Sequence, residues 1–353
     1  MPDKQLKFIY WFAYYNLDSP SVRYRAKYPL DFAKEKLGIS YCLVIPGYSP
    51  VRLLKFIKAY FSVLLFRRHD SIIVIQRIQS NFIYAALLKL LIKIRRSDSV
   101  YDLDDADYLD RNPKTIFYFA RNCEYISAGS QKIAKYMMQF NQKVHHITSP
   151  TPDLNLVKNK KNDVFTIGWI GGFGGGHKDS LFKIVFPAIK GLTFQCKFIL
   201  IGVTKREDIE EIKNYFGPSG NIDLEIPSDL DWNNEHDLQK RIVKFDVGIA
   251  TLLNNPLQLS KSGIKAKQYL NNGVPVLSTN LPENNEVVKE GVNGYFCDST
   301  DEFNERLMQF HEMTDSEYAH FSINARKSVI NFNHSKYIEN FEMIKYGMPL
   351  IQS

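Results

Sequence analysis

The stretch FTIGWIGGFGGGHKDS, Phe165–Ser180, decides the reading of this chain. Its first six residues read as a buried strand, and five glycines, a histidine and a lysine follow them. Two phosphate-binding patterns nearly fit. G-x-G-x-x-G fails because His177 stands where the third glycine belongs. G-x-x-x-x-G-K-[ST] runs from Gly171 to Gly176 and then meets His177 again, with Lys178 one place late. The physical logic outlasts both patterns: glycines let a backbone approach a phosphate closely, and the amides that open a helix favour an anion. A strand, a glycine loop and a helix start in that order predict an α/β unit with a ligand at the carboxyl end of the strand.

Working outward, 353 residues exceed one ordinary core and suit two domains. With 44% hydrophobic and 24% charged residues, the composition is that of a globular protein and excludes a disordered or fibrous chain. Four scattered cysteines form no C-x-x-C pair, which argues against a zinc site or disulfide framework and for a reducing compartment. The apolar FIYWFAYY (Phe8–Tyr15) is short and ends at Asp18 with no small-residue cleavage site, so it reads as a first strand and loop rather than a signal peptide. No run reaches the roughly 18 apolar residues of a membrane span. The expected location is cytoplasmic, at most peripheral on the inner face of a membrane. The net charge of +7 is uneven: residues 1–150 hold 23 Lys and Arg against 12 Asp and Glu, while residues 151–353 hold 22 against 26. A basic and a mildly acidic half should meet different partners.

In the first half, LKFIY, SYCLVI, SIIVIQ, SVYDL, CEYISA and KVHHI read as strands, separated by helical stretches. The pattern breaks in SPTPDLNLVKNKKND after Ser149, a proline- and lysine-rich linker. It restarts with VFTIGWI, CKFILIG, IDLEI, FDVGIA, VPVLS and GYF, with helices beginning near Lys178, Glu207, Glu235, Gly263, Asn284 and Thr300. Alternation of this kind predicts parallel sheets covered on both faces.

The second informative stretch is KSGIKAKQYLNNGVPVLSTNLPENNEVVKEGVNGYF, Lys261–Phe296. A helix opening near Ser262 puts Lys261, Lys265 and Gln268 on one face, with two ammonium groups near its start. A further helix after Pro282 puts Glu286 near its first turn. The order of helix, G-x-P-V (Gly273–Val276), acidic residue (Glu286) and G-x-x-G (Gly291–Gly294) resembles the signature of family 4 glycosyltransferases of GT-B fold. That family usually carries two glutamates seven residues apart in the signature helix. Here those places hold Ser260 and Gln268, and K-S-x-x-K (Lys261–Lys265) resembles a divergent bacterial branch. The resemblance implies a donor site at Gly171, Gly172, Lys178, Lys261, Lys265, Gln268 and Glu286. It implies a retaining transfer from a nucleotide-diphosphate sugar, with no metal and no cofactor, so that lysines and helix starts stabilise the departing diphosphate. Taken singly, the lysines read equally as solvated helix residues.

A third stretch, SVYDLDDADYLDR (Ser99–Arg111), holds five aspartates. Asp102 and Asp104 form a D-x-D, a weak metal motif. The GT-B reading instead puts Asp102, Asp104 and Asp105 at the carboxyl end of a strand facing the acceptor, with Asp104 or Asp105 as the catalytic group. Turn formation and helix capping are the competing account. Arg23 and Arg25, after the first strand, read either as phosphate or acceptor contacts or as surface charges. His177 reads as a donor contact or a solvated loop residue, and Trp169 and Trp232 as packing residues. RLLKFIKAYFSVLLFRR (Arg52–Arg68) and KLLIKIRR are amphipathic and basic; covering a sheet explains most of that pattern, and contact with anionic lipid suits the rest. No nucleic-acid motif accompanies the charge.

The expected fold class is therefore α/β: GT-B, two doubly wound Rossmann-like domains facing a central cleft. Residues 1–150 form the acceptor domain, 151–163 a linker, 164–330 the nucleotide-sugar domain, and 331–353 a C-terminal helix that returns to the first. The expected activity is a hexosyltransferase acting on a saccharide or lipid-linked acceptor in cell-surface polysaccharide synthesis. A GT-B nucleotide-sugar 2-epimerase and an inactive nucleotide-sugar or partner-binding homologue are the alternatives.

Overall fold

The computed structural model describes residues 5–65, 69–78, 82–109, 113–152, 156–218 and 220–348. It separates into two units: Met1–Pro152 with Ser260–Ser262 and Asn331–Ser353, and Asp153–Leu259 with Gly263–Ile330. Phe66, Arg67 and Arg68, counted above with the amphipathic helix, lie outside the described residues, as do 153–155 of the expected linker.

In the first unit β1 (Phe8–Phe12), β2 (Ser40–Val44), β3 (Ser71–Gln76), β4 (Ser99–Leu103), β5 (Tyr125–Ala128) and β6 (Val144–His146) form one sheet in the order β2-β1-β3-β4-β5-β6. Every pairing is parallel. All residues of β3 and β4 are buried, as strands covered on both faces require. Alternate residues feed two separate cores. Tyr10, Phe12, Ile73, Ile75, Tyr101 and Leu103 point to one, under the helices Pro50–Leu65, Phe82–Arg95 and Lys114–Asn122. Ile9, Trp11, Ile72, Val74 and Val100 point to the other. The last helix, His334–Tyr346, closes that second face with Tyr337, Ile338, Phe341 and Ile344, and Phe341 meets Trp11 edge-on at 5.6 Å.

In the second unit β7 (Phe165–Ile170), β8 (Cys196–Ile201), β9 (Ile222–Glu225), β10 (Val247–Ala250), β11 (Val276–Ser278) and β12 (Gly294–Phe296) run in the order β12-β11-β10-β7-β8-β9, again parallel throughout. The sheet centre leaves no room for side chains at some points: a methyl at Gly168 would lie 2.1 Å from the Phe245 ring.

The helix after the first strand of each unit contains a widened π turn, Arg23–Lys27 in one and Leu181–Val185 in the other. A proline follows each, Pro29 and Pro187, and neither can donate to the carbonyl four residues back. The preceding residues, Tyr28 and Phe186, bond instead to the carbonyls of Arg23 and Leu181, five back.

The stretch expected as a linker, 151–163, is tied down where it is described. Thr151 N donates to Phe332 O at 2.7 Å in the first unit. In the second, Lys158 N donates to Asn272 O at 2.8 Å, and its buried ammonium pairs with Asp246 at 2.9 Å.

Candidate functional site

In the second unit the glycine loop leaves the carboxyl end of β7 and a helical run starts at Gly176, continuing through the π turn to Lys190. The helix Ile264–Asn271 brings Lys265 against this loop. A methyl at Gly171 (φ 151°) would lie 2.6 Å from Lys265 Cε and 3.2 Å from its Nζ, so a side chain there would displace the lysine from the loop. The Lys265 ammonium sits 3.2 Å from His177 Nε2 and 5.7 Å from the centre of the Trp169 ring. Cation, imidazole, glycine backbone and the positive end of a helix thus converge within one unit, which is an arrangement suited to a phosphate. Gln268, one turn after Lys265, is buried, and Gly172 is exposed in the loop.

Three expected donor residues are placed differently. Lys178 holds its ammonium on Asp208 (2.7 Å) and Glu211 (2.5 Å), carboxylates one turn apart on the helix Arg206–Phe216. Those two hydrogen bonds push its pKa up, and the charge is already matched. Lys261 does not share a helical face with Lys265, because the helix begins at Ile264, after Gly263 in a left-handed conformation (φ 63°). Residues 260–262 group with the first unit, where Lys261 Nζ donates to Asp105 Oδ1 at 2.7 Å. Glu286 is the fifth residue of the six-residue helix Pro282–Val287, not part of its first turn.

In the first unit the expected acidic group forms at the carboxyl ends of β3 and β4, around a residue not anticipated from sequence. Arg77 follows β3 in a left-handed conformation (φ 53°), one that non-glycine residues rarely adopt. Its guanidinium forks onto Asp107 (2.6 and 2.7 Å), reaches Asp105 at 3.2 Å and Asp104 at 3.7 Å, and lies 4.2 Å from the Tyr14 ring centre. Gly129 packs directly on Asp104: a methyl there would meet its Cα at 2.6 Å. The neighbouring aspartates are driven apart. Burial raises the pKa of Asp104 despite Arg77. Burial also opposes ionisation of Asp105, but Lys261 and then Arg77 outweigh it and hold its carboxyl below the usual range. Neighbouring carboxyls with opposed shifts are a common source of acid and base roles.

Arg25 and Asp102, expected as ligand contacts, are each other's partners instead. Both are fully buried. Arg25 Nε donates to Asp102 Oδ2 at 2.9 Å and Nη2 to Oδ1 at 2.5 Å, and Arg25 also donates to Ile147 O and Ser127 Oγ. With both Asp102 oxygens taken, the D-x-D pair is not a divalent-cation grip. Arg23 is buried too, donating to Leu17 O at 2.7 Å and Asp18 O at 2.9 Å. Neither arginine is a surface charge, and neither offers its fork to a ligand. No part of sequence spacing reveals these pairs, since Arg25 and Asp102 are 77 residues apart. Arg77 was detectable only as a charged residue abutting the carboxyl end of a buried strand.

Residues 233–328 match the sequence pattern of the glycosyl transferases group 1 family. No curated protein matches the chain. Among solved structures, HepE of Anabaena in complex with UDP-glucose shares 14% identity over 96% of this chain and 100% of its own, with a TM-score of 0.69. Sucrose-phosphate synthase of Thermosynechococcus elongatus shares 12% identity over 97% and 98%, with a TM-score of 0.65. The lipopolysaccharide outer core galactosyltransferase WaaB shares 13% over 96% and 99%, with a TM-score of 0.61. The fold of this chain is thus shared with these solved structures.

Replacing Arg25 with Met strands a buried carboxylate, and should lower stability by roughly 3–5 kcal/mol. Urea denaturation followed by circular dichroism measures this. An unchanged midpoint would return Arg25 to the list of ligand contacts.

Proposed function

We propose that this chain, a glycosyltransferase of GT-B fold, transfers a sugar from a nucleotide-diphosphate sugar held at Gly171, Gly172, Lys265 and Gln268 to an acceptor hydroxyl held near Asp104. The observation that carries the reading is Lys265 lying against Gly171 at the mouth of a glycine loop. As the glycosyl bond breaks, negative charge grows on the departing diphosphate. An ammonium beside glycine amides at a helix start stabilises that charge more than it does the ground state. His177, whose ring nitrogens lie 3.2 and 3.4 Å from the ammonium, fixes its position beside the loop.

The cation does the work here that a divalent ion performs elsewhere, so the transfer we propose is independent of metal and of cofactors. Retention of anomeric configuration follows from the likeness of Gly273–Val276 and Gly291–Gly294 to the family 4 signature. In the first unit Asp104 orients the acceptor hydroxyl and takes up its proton. Asp105 stays ionised as the counter-ion of Lys261 and Arg77. The acceptor is a saccharide or lipid-linked saccharide, in keeping with a role in cell-surface polysaccharide synthesis.

Lys265→Ala should weaken binding of the nucleotide-diphosphate sugar by about tenfold or more, the loss of one charged contact of roughly 1.5 kcal/mol. Isothermal titration checks it, and unchanged affinity removes Lys265 from the donor site. Asp104 acts ionised, and its raised pKa means that ionisation is lost at a higher pH than for an ordinary carboxylate. The wild-type kcat/KM should therefore fall on the acid side, above the usual carboxylate range. Asp104→Asn should abolish that limb and lower kcat by roughly a hundredfold or more. A full pH profile in the variant would exclude the role.

A further inference from the structure

We infer that the outer faces of the helices Pro50–Leu65 and Phe82–Arg95 form one docking surface for an anionic lipid bilayer. The two helices lie side by side on one face of the first unit's sheet. Phe56 and Tyr84 pack between them with tilted rings 4.4 Å apart, and Arg95 donates to carbonyls in the last turn of the first helix, Val63 O at 2.8 Å and Leu64 O at 3.1 Å. Their inward residues fill the core, so the outward ones are not needed for folding.

Those outward residues are apolar to an unusual extent. Of the 22 exposed large apolar side chains among the described residues, 12 fall between Tyr48 and Ile94. Val51, Leu54 and Phe61 on the first helix and Phe82, Leu87 and Leu90 on the second are all exposed. An apolar surface of this extent on a globular chain marks an interaction site. Its rim identifies the partner. Arg52, Lys55 and Lys58 on the first helix and Lys93 on the second are exposed, and neither helix contains an acidic residue. A second copy of the same face would bring like charges together, which opposes self-association. An anionic bilayer accepts both features, burying the apolar side chains while its headgroups pair with the lysines. Neither helix is long and apolar enough to cross a membrane, so the pair lies on the surface.

The orientation is defined as well. The three most exposed apolar side chains, Phe82 (84%), Val51 (78%) and Tyr48 (76%), stand at or just before the helix starts. In a parallel β–α unit, helix starts lie at the carboxyl end of the sheet, where Asp104 and Asp105 are also found. The surface stands independently of the donor site. Combined with the acceptor reading above, it delivers a lipid-borne hydroxyl to the acidic cluster's end of the sheet.

The test is co-sedimentation of the purified full chain with vesicles of phosphatidylcholine alone and with roughly 30% phosphatidylglycerol. At least about tenfold stronger binding to the anionic vesicles is expected, lost in Lys55→Glu/Lys58→Glu/Lys93→Glu and weakened by raised salt. Leu54→Glu/Leu87→Glu should also lose binding while keeping the wild-type melting temperature, because both sites are exposed. No binding to anionic vesicles, or equal binding to both kinds, overturns the inference. So does self-association that Leu54→Glu/Leu87→Glu abolishes in a chain that ignores vesicles, since the face would then be a contact between copies.

Discussion

Within each of the two sheets the described strands are all parallel, and the rest of the molecule follows from that constraint. A parallel sheet needs a crossover after each strand, and its helices cover both faces, so neither face is left for chemistry. What remains is the end where strands stop and loops begin. Arg77 follows β3, Asp104 and Asp105 follow β4, and the glycine loop follows β7. Each polar group lies where it does because its strand could not carry it inside the sheet without a partner.

The charges at these ends obey one rule, that a buried charge must be matched. In the first unit, Arg77 gathers three aspartates and Lys261 completes the balance around Asp105, leaving Asp104 the least well paired and with its pKa raised. In the second unit, Lys178 is neutralised by Asp208 and Glu211. Lys265, with an imidazole and an indole beside it, is the cation that faces the glycine loop. Of three lysines that looked alike in sequence, two are structural partners of carboxylates and one suits a diphosphate.

The fold was legible because its signal is local. Most strands among the described residues are short apolar or β-branched runs bounded by turn residues, recognisable one at a time. The helix starts at Glu235 and Thr300 likewise carry their own caps, Asn234 and Ser299. The site was legible in its loops and not in its pairings. Arg25 and Asp102 looked like ligand residues because both are charged and near strand ends, yet their bidentate bond spans 77 residues. Lys261 was misplaced by three residues of helix, because Gly263 turns the chain before the helix begins. The lysine-rich stretch after Ser149 reads as a linker, but Asp246 lies 2.9 Å from one of its lysines, Lys158. Sequence spacing gives no view of such partners.

The central claim is that the Gly171 loop and Lys265 hold a nucleoside diphosphate without a metal. Thermal unfolding of the purified chain with UDP, GDP, ADP, CMP and their sugar conjugates, each with and without EDTA, tests it most directly. A ligand at a hundred times its Kd stabilises the folded chain by about 2.7 kcal/mol, enough to raise Tm measurably. The account predicts a rise with one nucleoside diphosphate and its sugar conjugate, unchanged by EDTA. No rise with any of them, or a rise that EDTA removes, would contradict it.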